Sequence, residues 1–377
     1  MKKSTVLIIG SLAESLVNFR GDLIRQLLAA GHSVQAVAPA GPVWVDETLV
    51  AWGAQRHVVK LERAGLNPLS DLAYLRQLKR LCQQVQPDVL LAYTVKPVVY
   101  GSLAGRLSGV PVIAALVTGL GFAFMPVRGW RHALTRSVAW VLYKVALRTA
   151  HIVYFQNPDD QADFKRLGLL GGNLKVRLVN GSGVNLDRYE RSNLPGDGPR
   201  RVLLIGRLLA DKGVREYIAA ARQVRATLPD VVFEIVGPYD PNPAAISPQE
   251  IDEAVREGVI EYTGPLTDVR VALRRCHVYV LPSYREGTPR SVLEAMAMGR
   301  PVVTTDAPGC RETVVDGVNG RLVPPRDAKA LAVAIEALLR LDAASLQQLG
   351  DESHRMAVGK YEVRQVNRQL MEPLGLC

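Results

Sequence analysis

Cysteine is scarce in this 377-residue chain: Cys82, Cys276, Cys310 and Cys377 are all it has, and none has CxxC or metal-ligand spacing. A disulfide framework or a zinc module is thereby excluded, and a reducing, cytoplasmic setting is expected. Asp-x-Asp is missing, and no His/Asp/Glu group is spaced to hold a cation, so no metal is expected. Lys2 and Lys3 precede a short apolar run without a small-residue cleavage site, so VLIIG reads as a first buried strand, not a signal peptide. Acidic residues are absent between Asp88 and Asp159, an interval holding Lys96, Arg106, Arg128, Arg131, Arg136, Lys144 and Arg148. Residues 1–190 carry 22 Lys/Arg against 12 Asp/Glu, whereas 191–377 carry 24 of each, so the net charge of +10 belongs to the first half. One-sided basic charge implies a polyanionic surface, either nucleic acid or acidic lipid. Residues 108–127 form a long stretch without charge. Its 20 residues could span a bilayer. However, Pro111, Gly119, Gly121 and Pro126 would break a helix, and a buried strand entering a glycine-rich loop is preferred to a membrane span.

What is present is globular: 48% apolar and 22% charged residues, in a chain long enough for two domains. Short apolar runs alternate with helical patterns, as parallel sheets with crossover helices require. Strand candidates in the first half are VLIIG, SVQAVA, DVLLAY, PVIAALV and HIVYFQ, with helical patterns at 20–30, 70–85 and 97–108. SNLPGDGP (192–199) reads as a linker, after which RVLLIG, VVFEIVG, VIEYTG, HVYVLP and PVVTTD restart the alternation. The expected fold is α/β, with two doubly wound Rossmann-like domains, 1–192 and 200–359, facing each other across a cleft. A helix over 360–377 is expected to pack back on the first, with Gly359 breaking the helical segment that begins near Ala343.

Two elements carry chemistry. In REGTPRSVLEAMAMGRPVV, Glu286 precedes a Gly287-Thr288-Pro289 turn and Glu294 lies on the helix that follows. Pro289 suits the first helical turn, where its missing N–H goes unused, and the helix start offers N–H groups and positive dipole character. Flanked by two carboxylates, such a helix start suits a phosphate attached to hydroxyl-rich groups, as in a nucleotide sugar. In GRLLADKG, Arg207 and Lys212 follow the first strand of the second domain, where two cations can neutralise a diphosphate leaving group.

The succession Gly206-Arg207-Leu208, Lys212-Gly213, Glu286-x7-Glu294, GRPVV and GVNGRLVPP resembles the retaining glycosyltransferases of family 4, which have the GT-B fold. The resemblance implies that Arg207 and Lys212 hold the donor diphosphate beside Gly206. Glu286 would contact the hydroxyls of the transferred sugar, and Glu294 the ribose. Amides of Thr288 to Ser291 would cradle the phosphates, with Gly287, Pro289 and Arg290 also among the donor-binding residues, and Tyr262 to Leu266 would lie along the base. NFRGDLI, TVKPVVYGSLAGRLSGVPVI, GLGFAF, YFQNPDD and GSGVNLDRY are similar to the branch that extends undecaprenyl-diphosphate-linked glycans for capsule, O-antigen or protein glycosylation. That likeness implies a UDP-sugar donor, transfer of a hexose or N-acetylhexosamine, and a lipid-linked acceptor. Gly10, Ser11, Lys96, Gly119 and Gly121 would form the acceptor or cleft loops. The chain departs from the family at Ala92-Tyr93-Thr94, Thr118 and Asn185, positions that bear on which sugar is transferred.

The resemblance further implies metal-independent, same-face transfer without a cofactor, by an enzyme peripheral on the inner face of a bacterial plasma membrane. Two readings of the basic segment 128–148 are open: a partly buried helix with solvated cations, or contact with an anionic membrane surface. No nucleic-acid motif accompanies the basic half, so nucleic acid is not expected as a partner. A nucleotide-sugar epimerase and a non-catalytic binding module with a basic surface are the alternatives. The first would need a catalytic carboxylate and histidine set that the sequence does not offer.

Overall fold

The computed structural model describes residues 3–62, 67–119, 130–172, 174–196, 198–242 and 244–377, with backbone only for 130–134. Two compact units divide the chain, one of 1–182 with 363–377 and the other of 183–362.

The first unit is a seven-stranded sheet of β1 (Thr5–Ile9), β2 (Ser33–Ala38), β3 (Gln55–Val58), β4 (Val89–Tyr93), β5 (Val112–Val117), β6 (Ile152–Phe155) and β7 (Lys175–Leu178). Its order is β3-β2-β1-β4-β5-β6-β7, with every pair parallel. The second unit holds β8 (Arg201–Ile205), β9 (Val232–Val236), β10 (Glu261–Gly264), β11 (Val278–Leu281), β12 (Val302–Thr305) and β13 (Gly320–Val323), in the order β10-β9-β8-β11-β12-β13 and again parallel. Both are doubly wound, as the alternation of apolar runs requires.

Each sheet is buried on both faces, so its central strands are largely apolar, and side-chain alternation sends neighbours to opposite cores. Leu7 and Ile9 of β1 enter one core, Val6 and Ile8 the other. In β8, Val202 and Leu204 part from Leu203 and Ile205 in the same way. The helices covering these faces start at recognisable caps. Asn67 and Asn157 accept from the amides of Ser70 and Asp160, and Ser247 forms a reciprocal box with Glu250.

The first unit ends at Ser182, ten residues short of the expected boundary at 192. The Val184 amide donates to Tyr361 O at 2.8 Å, and Val184 and Tyr189 are buried in a core of the second unit. SNLPGDGP is not a free linker either. Buried Arg300 donates to Ser192 O at 2.9 Å and Asn193 O at 3.2 Å, and the Leu194 amide donates to Gln347 Oε1 at 2.8 Å. At the other end, Gly359 lies inside a π-helical turn, Ala357–Tyr361, that continues helix Ala343–Met356. The break falls at Glu362, whose ψ of 129° leaves the helical region. Beyond it, helix Val363–Met371 buries Val366, Leu370 and Met371 against the first sheet. Within 108–127, residues 112–117 form β5, while 120–127 lie outside the described residues. Among the described residues no helix is long and apolar enough to cross a membrane.

Candidate functional site

In an open parallel sheet, the loops leaving two neighbouring strands diverge to opposite faces where the strand order reverses, and a crevice opens at the carboxyl edge. In the second unit that point lies between β8 and β11. The loop after β8 carries Gly206, Arg207 and Lys212 and enters helix Val214–Thr227, which packs into one core. The loop after β11 carries Glu286 to Pro289 and enters helix Arg290–Ala297, which packs into the other. The two sequence elements singled out for chemistry therefore flank one crevice.

Both loops are held closely. Gly213 caps its helix at φ 71°, and a Cβ there would stand 2.2 Å from Pro282 O, on the opposite loop. The Tyr284 amide donates to Asp211 O at 2.8 Å, and the Tyr284 hydroxyl donates to Glu216 Oε1 at 2.6 Å. Gly309, at φ 81°, backs the Glu286-Gly287 backbone, where a Cβ would meet Glu286 O at 2.2 Å. The Glu286 amide donates to Pro308 O at 2.9 Å.

On this frame Lys212 Nζ forms an ion pair with Glu286 Oε1, bridging the two loops, with side chains only 19% and 13% exposed. Arg207 stands further out, 54% exposed, with Nη1 2.7 Å from Asp240 Oδ2. Glu294 is buried; it accepts from Arg290 Nε at 2.9 Å and lies near enough to the Tyr189 phenol for its charge to act on it. Burial, followed by the Glu294 charge, pushes the Tyr189 phenol far above its usual range, so it remains a protonated donor. Ser291 is half-buried in the first turn of that helix, and behind it the Tyr279 hydroxyl donates to Ile205 O at 3.2 Å. Pro289 occupies the cap position rather than the first turn, with its carbonyl accepting from Val292 N at 3.1 Å and its own side chain making no cap bond. Gly287 and Thr288 complete the turn.

Along the same edge, the Tyr262 hydroxyl donates to Gly237 O at 2.9 Å, and the Tyr262 ring meets Tyr239 edge-to-face at 5.5 Å. Leu266 packs, half-buried, against the core beneath. Two cations, a helix start with positive dipole character, two carboxylates and an aromatic edge thus line one strand-end surface. Together they suit an anionic ligand that also carries hydroxyls and a ring.

The first unit has its own reversal point between β1 and β4. Gly10 follows β1, and a Cβ there would lie 2.3 Å from the Tyr93 hydroxyl, so a side chain does not fit. That hydroxyl shares a 2.7 Å bond with Ser15 Oγ, and Arg20 lies over the Tyr93 ring at 4.9 Å. Ser11 is half-buried beside it, and Gly119 follows β5 at φ 137°. Lys96 follows β4 but points into a buried pair: Nζ is 2.6 Å from Asp71 Oδ1, and Tyr100 donates to Asp71 Oδ2 at 2.9 Å. Gly121 lies outside the described residues. A cavity of about 460 Å³ lined by Cys82, Gln86, Asp88 and Ser108 opens at the amino ends of β4 and β5, away from these loops.

Sequence reasoning missed Tyr189, Asp240 and Gly309. Each acts on a neighbour contributed by a distant segment, which spacing alone does not reveal. Asp240 had one usable signal, since it follows β9 as Arg207 follows β8.

Residues 18–180 match the glycosyl transferase 4-like domain, and residues 199–341 match the model described as glycosyl transferases group 1. A curated relative from Campylobacter jejuni, N,N'-diacetylbacillosaminyl-diphospho-undecaprenol alpha-1,3-N-acetylgalactosaminyltransferase, is 31% identical over 86% of this chain and 86% of its own length. An Escherichia coli relative, UDP-Gal:alpha-D-GlcNAc-diphosphoundecaprenol alpha-1,3-galactosyltransferase, is 25% identical over 72% of this chain and 71% of its own. Sucrose-phosphate synthase of Thermosynechococcus elongatus superposes with a TM-score of 0.80 over 98% of both chains, at 22% identity. HepE of Anabaena, solved with UDP, gives 0.78 over 99% of this chain and 100% of its own, at 20% identity. The fold is thus of the GT-B type expected from sequence.

Proposed function

The chain belongs to the GT4-type glycosyltransferases, and from that premise we propose that it moves a hexose or N-acetylhexosamine from a UDP-sugar to an undecaprenyl-diphosphate-linked glycan, with retention and without a metal. The observation that carries this reading is the convergence of Arg207, Lys212, Glu286 and Glu294 on one crevice, with Lys212 and Glu286 already paired across it. The names of both relatives contain a diphospho-undecaprenol acceptor, the E. coli name adds UDP-Gal, and HepE has been solved with UDP-glucose.

In this reading Arg207, Lys212 and the start of helix Arg290–Ala297 meet the charge that gathers on the leaving UDP. Glu286 grips the transferred sugar, Glu294 the ribose, and Tyr262 to Leu266 border the base. The bond from the anomeric carbon to the β-phosphate oxygen breaks as the acceptor hydroxyl attacks from the same face. Its proton passes to the departing phosphate oxygen. Glu286→Ala is expected to lower UDP release on a lipid-linked acceptor by about 100-fold or more, in line with the removal of one transition-state contact. Retained turnover would refute the role of Glu286, an inverted anomer in the product would refute same-face attack, and loss of transfer in EDTA restored by Mg²⁺ would refute metal independence.

A peripheral location on the inner face of the plasma membrane belongs to the same proposal. On helix Trp130–Leu147, Val141 and Val145 are exposed at 50% and 45%, Arg136 is exposed too, and Arg148 follows. Lys144 stands over the Trp140 ring at 4.4 Å. An exposed face mixing valine and cations on an acid-free segment suits an anionic leaflet. Sedimentation with anionic vesicles but not with neutral ones is the expected result, and equal binding to both would remove the electrostatic argument.

A further inference from the structure

Nothing in the proposed transfer yet uses Asp240. It sits in the loop after β9, and that loop is laced to the one carrying Arg207. Leu208 N donates to Pro238 O at 3.0 Å, Ala210 N to Ala244 O at 2.9 Å, and Ile246 N to Leu208 O at 2.9 Å. The Asp240 carboxylate is itself fixed. Its Oδ1 accepts from the Asn242 amide at 2.9 Å, and Asn242 Oδ1 accepts from Ala244 N at 2.9 Å. Its other oxygen, Oδ2, takes Arg207 Nη1 at 2.7 Å.

The exposures of the two partners differ sharply: the Asp240 side chain is 13% exposed and that of Arg207 54%. The pair is therefore an anchored carboxylate holding a guanidinium that faces solvent. Ion pairs with one partner so exposed contribute little to stability, so folding alone does not account for the arrangement. For anion binding, a carboxylate beside Arg207 is unfavourable, because it lowers the positive potential that an incoming phosphate meets. What it supplies is orientation. A guanidinium has five N–H donors in a rigid fork, and the bond to Asp240 engages one Nη, leaving others directed outward. Fixing the long side chain beforehand removes rotamer freedom that would otherwise be lost as the ligand binds. The same loop carries Tyr239, whose ring stands against Tyr262, so it spans from the aromatic edge to the cation.

We infer that Asp240 is a positioning residue, which holds the Arg207 guanidinium in the orientation used on the donor diphosphate and gives up anion affinity for turnover. This rests on the proposed reading that the crevice takes a UDP-sugar.

The test uses the full chain with Asp240→Ala, Asp240→Asn and Arg207→Ala. The measurements are UDP affinity by calorimetry, kcat and KM with the UDP-sugar that wild-type protein turns over, and thermal unfolding. Asp240→Ala loses both the charge and the acceptor. Its kcat is expected to fall about tenfold or more through misorientation of Arg207, while UDP binds as tightly as to wild type or tighter. Asp240→Asn keeps an acceptor and loses the charge, so kcat stays within about threefold of wild type and UDP binds several-fold tighter. A merely structural role would lower kcat, UDP affinity and melting temperature together, without rescue by Asn. That outcome overturns the inference, as does a wild-type kcat in Asp240→Ala while Arg207→Ala is impaired. Wild-type protein that neither binds UDP nor turns over any UDP-sugar overturns the donor reading and this inference with it.

Discussion

Gly309 is the position at which the placement of Glu286 is most open to challenge. Replacing it with alanine adds one methyl group at φ 81°, 2.2 Å from Glu286 O and 2.5 Å from Gly287 O. Both neighbours are backbone atoms, and ordinary contact begins near 3.4 Å. The turn preceding helix Arg290–Ala297 must therefore move by about 1 Å, a displacement that costs on the order of 100-fold when it misplaces a reacting group. The Glu286 amide is hydrogen-bonded to Pro308 O, so the two segments do not separate without losing that bond. The left-handed backbone adds roughly 1–2 kcal/mol of strain. The expected result for Gly309→Ala is a kcat/KM about 100-fold lower, or about 2.7 kcal/mol of lost transition-state stabilisation. Gly258→Ala is the control: φ is 70° there too, but nothing lies within 4 Å of the added carbon. It should lose the same roughly 1–2 kcal/mol in urea unfolding and keep wild-type transfer. If both variants transfer equally well, the backing of Glu286 by Gly309 has no bearing on turnover.

Lys96→Met would leave Asp71, 8% exposed at its side chain, without its cation; a loss of about 3–5 kcal/mol in urea unfolding is expected for breaking a buried pair. Lys96→Met combined with Asp71→Asn should recover most of it, because no uncompensated charge remains and the Tyr100 bond survives; if transfer recovers with stability, Lys96 has no separate duty toward the acceptor. Acid stability has a defined sign at Glu250, whose carboxyl is held down to about 2 by its hydrogen bonds to Arg215, against an ordinary 4.5. A depressed folded-state pKa stabilises above the ordinary value and is lost as pH falls, so the melting-temperature gap between wild type and Glu250→Gln should be constant above pH 5 and shrink from about 4.5 toward 2. A gap that widens on acidification would refute that assignment.

Ten of the thirteen strands among the described residues were legible as apolar runs, and the three that were not share a physical reason. β3 (QRHV), β7 (KVRL) and β13 (GRLV) are edge strands, and each is interrupted by charged or polar residues. An edge strand is covered on fewer sides than a central one, so it does not need an unbroken apolar run, and its polar residues help to prevent pairing with other chains. β10, the remaining edge strand, was found because the apolar pair Val259-Ile260 precedes it. The linker was misjudged for a different reason. Proline and glycine mark where a chain leaves regular structure, but they do not say which core holds it, and here a buried arginine 108 residues of sequence away, Arg300, decides the matter.

The site was legible to the extent that its chemistry lies in contiguous motifs. Glu286, Glu294, Arg207 and Lys212 could be picked out because each follows an apolar strand at a short, fixed interval, and the parallel topology then brings those strand ends together. Their mutual arrangement was not legible. Lys212 and Glu286 were expected to meet different parts of a ligand, yet they meet each other. Arg290, expected to contribute an amide, also lays its side chain along Glu294. Like Asp240 on Arg207, these are contacts in which each functional side chain is already engaged by a protein partner. A pair such as Lys212–Glu286 holds both groups near the crevice while neutralising them. A ligand bearing both a phosphate and hydroxyls can satisfy both partners at once, whereas inorganic phosphate competes with Glu286 for Lys212 and offers the carboxylate no hydroxyl in exchange. The crevice should therefore favour the composite ligand over its anionic part by more than the added contacts alone, a difference that competition of a UDP-sugar against phosphate would measure directly.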